Sequence, residues 1–199
     1  MKPAAKEYRG SSTHGMMRMS KMRILFIGNS HTYNHEVPAL VQEMAKEAGL
    51  SCDVTMLAHG NWFLANHVKE AQTKFNILHG AYDYVVLQEH SRFLKHMADY
   101  EAAVKTIAEW AAEAGSRVVI YGTWSRKEER DVQDSMNEAN REIASSVNAI
   151  LAPVGESWWT YVDSHPDIEM YEEDGAHASA LGAEFAAKKI WSVIEEKNA

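Results

Sequence analysis

The sequence predicts an α/β protein: a three-layer α/β/α sandwich built on a five-stranded parallel sheet of strand order 2-1-3-4-5. Three observations carry that expectation. Apolar runs recur at 24–27, 84–88 and 117–122, too continuous for strands with one wet face. Segments with apolar residues at helical spacing lie between them. Strictly alternating strands and helices imply right-handed crossovers, and those lay successive strands parallel.

The first strand is Ile24-Leu25-Phe26-Ile27, ended abruptly by Gly28-Asn29-Ser30. A helix is expected from about Glu36, with Val37, Leu40, Val41, Met44 and Ala48 on one face and Gly49 as its stop. Residues 52–57 form the second strand, 58–61 its exit loop, and Trp62 to Leu78 reads as helical. The third strand, 84–88, is almost wholly apolar. Tyr100 to Ala114 is a helix whose Ala103, Val104, Ile107, Trp110 and Ala111 share a face, and Gly115 ends it. The fourth strand is 117–122. The charged stretch that follows, 123–135, is expected as a surface loop running into a helix up to about Ala149. Residues 150–155 read as a short fifth strand and Ser157 to His165 as a short helix. A docked terminal helix should use Leu181, Phe185, Ile190 and Ile194.

A chain of 199 residues suffices for one domain with a sizeable core, placed here at 22–199. Residues 1–21 are polar, Met-rich and aperiodic, and read as a disordered leader or a cloning remnant. A net charge of -8, with no basic cluster beyond residue 23, argues against nucleic acid as a partner. The single cysteine, Cys52, excludes an intramolecular disulfide and should pack in the second strand. No apolar run has transmembrane length, and none resembles a signal peptide. No membrane association and a cytoplasmic location are therefore expected; oligomeric state is not legible. His31 and His35, at i and i+4, suggest a metal pair. The chain has no HExxH, no paired Cys and no acid cluster at ligand spacing, so no metal and no cofactor are expected.

In a sheet of this kind, catalytic groups gather beyond the carboxyl ends of the strands. Those ends supply Gly28, Asn29 and Ser30; His59, Gly60 and Asn61; Gln88, Glu89, His90 and Ser91; Thr123 and Trp124. Asp174 and His177 lie near the carboxyl terminus. Acyl transfer needs these residue types. Serine is a weak nucleophile until an imidazole takes its proton, and a carboxylate on the far ring nitrogen fixes the tautomer. Each residue also has a plainer reading: Ser30 as a loop or cap residue, Asp174 as a helix cap, Gly60 as a turn, Gln88 as a strand-end amide.

The segments FIGNSHT, Gly60-Asn61, VVLQEHS and DGAHAS resemble the successive motif blocks of the SGNH (GDSL-type) hydrolase superfamily, across nearly all of 22–199. The resemblance implies Ser30 as nucleophile, Asp174 and His177 as acid and base, and an oxyanion hole from Ser30 and Gly60. The chain departs from the pattern at Asn29, where aspartate is usual, and at Gln88-Glu89, where the block asparagine is missing. Gln88 carries the same amide on a longer arm and could replace that donor. Ala178 stands where proline is common. Asn29, Asn61, Trp62, Glu89 and Trp124 are candidate substrate contacts. Trp62 and Trp124 could stack on a sugar, although buried packing is the commoner fate of tryptophan.

The expected function is thus a serine esterase acting on a small-molecule ester such as an acetylated carbohydrate. One rival is a flavodoxin-like module whose 28–32 loop cradles a phosphate or FMN. Another is a catalytically silent, carbohydrate-binding relative.

Overall fold

The computed structural model describes residues 21–198, so the leader expected over 1–21 lies, but for Lys21, outside the described residues. Strand β1 (Met22–Gly28) is an inner strand of the sheet, one place in from its edge. Its side chains alternate: Ile24 and Phe26 face one helix layer, Leu25 and Ile27 the other, and all four are buried. Burying four such side chains contributes about 6–12 kcal/mol before chain entropy is set against it.

From β1 the chain enters the four-residue helix α1 (Ser30–Tyr33), a 3-10 turn (Asn34–Glu36) and helix α2 (Val37–Glu47). Strand β2 (Cys52–Ala58) follows, with Cys52 buried as expected. Next come α3 (Leu64–His67), α4 (Ala71–His79), β3 (Tyr84–Gln88), α5 (Met97–Ala114) and β4 (Arg117–Tyr121). Helix α6 (Gln133–Ser146), β5 (Ile150–Ala152), α7 (Val154–Ser164) and α8 (Ala180–Glu196) complete the chain. All strand pairs are parallel and the order is β2-β1-β3-β4-β5. Helices α2, α7 and α8 cover the Ile24 face; α4, α5 and α6 cover the Leu25 face. This is the α/β/α sandwich that the sequence predicts.

Four segments differ from their sequence reading; the first is 150–155, where the strand stops at Ala152 and Pro153 leads into α7, which takes Val154 and Gly155. The helix expected over 62–78 is two short ones, because His67 turns inward to the Gly28 carbonyl and the chain tightens through 68–70 before α4 begins. The stretch expected as a surface loop starts buried: Thr123, Trp124 and Ser125 are at most 2% exposed, and only the charged residues after them reach water. Helix α8 docks through Ala183, Ala186, Ala187, Ile190 and Ile194, while Leu181 is 54% exposed. Small residues let α8 approach α2 and the sheet closely, so the larger Leu181 falls outside the contact. Among the described residues no helix is long and apolar enough to cross a membrane.

Candidate active site

Ser30 stands one residue past the Asn29 cap at the carboxyl end of β1. Asn29 accepts from the His31 N–H through its side chain (3.1 Å) and from the Thr32 N–H through its carbonyl (2.9 Å). Its own N–H donates to Gln88 Oε1 at 2.8 Å, and the Thr32 hydroxyl donates to the same oxygen at 2.9 Å. This clamp leaves no space at Gly28: a Cβ there would lie 2.4 Å from Thr32 Oγ1 and 2.5 Å from Gln88 Oε1. Only glycine fits, and the position of Ser30 is fixed as a result.

The loop carrying Asp174 and His177 is closed like a hairpin. Ser179 N–H donates to the Met170 carbonyl and Glu172 N–H to that of His177, while Tyr171 and Ala178 form an antiparallel bridge. Gly175, at φ +61°, makes the reversal, and its carbonyl accepts from Lys127 N–H. Asp174 Oδ1 thereby receives the N–H groups of Ala176 (2.9 Å) and His177 (3.0 Å), and Oδ2 meets His177 Nδ1 at 2.5 Å. Burial opposes ionisation of Asp174. The two backbone N–H groups and the imidazole outweigh it and hold the carboxyl far below its ordinary range.

A carboxylate only accepts, so Nδ1 of His177 carries the ring proton and Nε2 is left as an acceptor. Ser30 Oγ lies 2.8 Å from that Nε2 and donates to it. The hydrogen-bonded chain Asp174–His177–Ser30 therefore has the polarity needed to draw a proton off the serine.

Three aromatic residues back the imidazole. His31, 7% exposed, lies with its ring centroid 5.1 Å from that of His177 and 5.2 Å from that of Trp124. Burial, followed by the neighbouring His177 and His90, pushes the His31 pKa down to about 3, so its ring is neutral. Trp124 stacks on Trp158 at 4.0 Å and donates from Nε1 to the Ala176 carbonyl inside the loop that carries His177. Farther out, His35 is bonded to Glu172 at 2.6 Å and ties the exit of α1 to the same loop. These roles of His31, His35 and Trp124 depend on contacts between distant segments, for which the sequence carries no local signal.

Four of the expected site roles are corrected. Gln88 is no oxyanion donor: the obligate donor Asn29 N–H fixes the amide oxygen on its side, and Nε2 donates to the Glu89 carbonyl at 2.5 Å, behind the site. Asn29 is 1% exposed, with Nδ2 donating to the Trp62 carbonyl, so it faces no substrate. Glu89 is 2% exposed and receives the Leu64 and His90 N–H groups; burial raises its pKa to about 7. Trp124 is fully buried and supports the His177 loop in place of a ligand.

The remaining candidates border the opening. Residues Gly28 and Ala58 are paired in register, so Ser30 and Gly60 leave adjacent strands side by side. Among the described residues, neither backbone N–H donates to a protein acceptor. Asn61 is exposed, and the half-buried Trp62 stacks on His59 at 4.1 Å. A cleft of about 570 Å³ between α5, β4, β5 and α8 lies at the opposite, amino-terminal edge of the sheet, away from these groups. Among the described residues no cluster of three or more His, Cys, Asp or Glu is placed to hold a metal ion.

A parallel five-stranded α/β/α sandwich with a serine–imidazole–carboxylate chain at its carboxyl edge defines a class of hydrolases, and solved structures specify the class. A protein from Slackia heliotrinireducens, provisionally assigned to the SGNH hydrolases, is 29% identical, with 87% of this chain and 99% of that one covered and a TM-score of 0.76. A family 3 carbohydrate esterase from Talaromyces cellulolyticus is 15% identical (89% and 99% covered, TM-score 0.70). An acetyl esterase, solved as a serine-to-alanine variant with acetate, is 14% identical (88% and 97% covered, TM-score 0.72). No protein-family model and no curated protein sequence matches the chain. The chain thus shares the fold of the SGNH hydrolases and resembles that superfamily over most of its length.

Proposed function

We propose that this protein is a serine ester hydrolase that works through an acyl-enzyme on Ser30. The observation that carries the reading is the bonded chain from Ser30 Oγ to His177 Nε2 (2.8 Å) and from His177 Nδ1 to Asp174 (2.5 Å). Ser30 Oγ attacks the ester carbonyl carbon while its proton passes to His177 Nε2. The carbonyl oxygen, now an oxyanion, takes the N–H groups of Ser30 and Gly60. Collapse breaks the ester C–O bond, and His177 returns the proton to the departing alkoxide. Water then attacks the acyl-enzyme with His177 as base, releasing the carboxylic acid and free Ser30. Asp174 stays ionised throughout and stabilises the imidazolium.

Short acyl esters, and acetylated carbohydrates among them, are the substrate class we favour, because two structural neighbours are an acetyl esterase and a carbohydrate esterase. The phosphate- or FMN-binding alternative gains nothing from the loop. The His31 and Thr32 N–H groups that would cradle a phosphate are already bonded to Asn29. Hydrolysis of p-nitrophenyl acetate tests the proposal. Turnover should fall at least about 10³-fold in Ser30→Ala and in His177→Ala. Variants as active as the wild type would remove it.

A further inference from the structure

With Gln88 turned away, the oxyanion hole proposed above rests on the backbone N–H groups of Ser30 and Gly60, unpaired among the described residues, and β3 lends it no amide from Gln88. A second network supplies one. His90 leaves β3 and Asn61 leaves β2, the two strands that flank β1. The two side chains nonetheless meet, His90 Nε2 to Asn61 Oδ1, at 3.1 Å. That bond therefore spans the carboxyl end of β1, where Ser30 stands. Asn61 is also held from its other side, since Asn29 Nδ2 donates to the carbonyl of the next residue, Trp62, at 2.9 Å.

The polarity of this bond follows from its far end. Arg92 N–H donates to His90 Nδ1 at 3.1 Å. An N–H can only donate, so Nδ1 bears no proton and Nε2 carries it. Nε2–H then donates to Asn61, and the atom it meets must be the amide oxygen. The Asn61 nitrogen is thereby turned the other way, and among the described residues it meets no protein acceptor. Burial, helped by Arg92 and His96, keeps His90 below the usual imidazole range and so neutral, as the relay requires. His90 is further fixed by stacking on Phe63 at 4.5 Å. Asn61 itself sits at φ +63°, a conformation asparagine tolerates better than most residues, directly after Gly60.

We propose that the Asn61 side-chain amide is the third donor to the oxyanion, with His90 as a positioning residue that fixes which end of the amide faces the site. The proposal rests on the esterase reading above and names the group that completes its hole.

The test is steady-state hydrolysis of p-nitrophenyl acetate by the full chain. Asn61→Gly removes the amide without straining φ. Asn61→Asp keeps the acceptor for His90 but places an anion at the hole. His90→Phe keeps the ring on Phe63 and removes the Nε2–H. We expect kcat to fall about 100-fold in Asn61→Gly and further in Asn61→Asp, with KM changed less than about threefold. His90→Phe should cost about tenfold, and adding it to Asn61→Gly should cost nothing more, because the two act through one amide. Thermal melting within about 2 °C of wild type in either Asn61 variant excludes misfolding. A kcat within twofold of wild type in a folded Asn61 variant, a loss confined to KM, or additive effects of Asn61→Gly and His90→Phe would each overturn the proposal. Those results leave the esterase reading standing if wild type turns over and Ser30→Ala does not. A wild type without turnover defeats both.

Discussion

Replacing Gln88 by leucine separates two accounts of that residue. In the structure its amide is buried scaffolding: it accepts from Asn29 N–H at 2.8 Å and from the Thr32 hydroxyl at 2.9 Å, and it donates to the Glu89 carbonyl. Leucine has nearly the same volume, so little cavity opens, but Asn29 N–H and the Glu89 carbonyl lose their partners. An unpaired buried polar group costs about 1–3 kcal/mol, and the Thr32 hydroxyl can rotate to limit its own loss. The two orphaned groups together cost about 3 kcal/mol, or about 6–12 °C of Tm in a domain of this size. Differential scanning calorimetry of wild type and Gln88→Leu measures this directly. Activity should fall as well, since the clamp fixes Ser30. A variant with wild-type Tm and a kcat lowered about 100-fold would show that Gln88 acts as a donor at the oxyanion and that its placement behind Asn29 is wrong.

Further outcomes follow from the same contacts. Asp174→Asn should lower Tm modestly, as the favoured carboxylate is lost, and lower kcat by about 10²–10⁴-fold, because an amide no longer enforces the Nδ1–H tautomer of His177; an active Asp174→Asn enzyme contradicts the assignment. Gly28→Ala forces a methyl against Thr32 Oγ1 and Gln88 Oε1, and should destabilise by about 1–3 kcal/mol in urea unfolding. Glu89 provides a pH test. Its folded pKa, about 7, lies above its ordinary 4.5, so the folded state holds a proton that the unfolded state has lost, and stability falls as pH rises between those values. The loss approaches about 3 kcal/mol by pH 8. Glu89→Gln should remove that slope; parallel pH profiles of Tm for the two proteins would refute it.

How far the sequence reveals the site depends on what each residue responds to. The glycine–asparagine–serine turn after an apolar strand and the aspartate three residues before a histidine are local patterns, and the structure joins them through hydrogen bonds. The parallel sheet likewise follows from alternation and crossover handedness. Gln88 could not be read, because its role is set by the Asn29 N–H, 59 residues away, which decides where the amide oxygen points. Trp124 adjoins a charged stretch, yet its indole is covered by Trp158 and by the loop that carries His177, both brought in from distant sequence. Leu181 fits the helical periodicity of α8, but the face that docks is chosen by small residues that allow close approach, and hydrophobicity alone does not rank those first. Tertiary contacts decide the side-chain roles that local pattern leaves open.

An activated Ser30 would be phosphonylated as readily as it is acylated. Incubating the folded protein with a fluorophosphonate probe, then measuring intact mass and mapping the modified peptide, tests that activation most directly. A single adduct is expected on Ser30, absent in Ser30→Ala and formed at least about 100-fold more slowly in His177→Ala. An unlabelled wild-type protein, or an adduct on another residue, would contradict it.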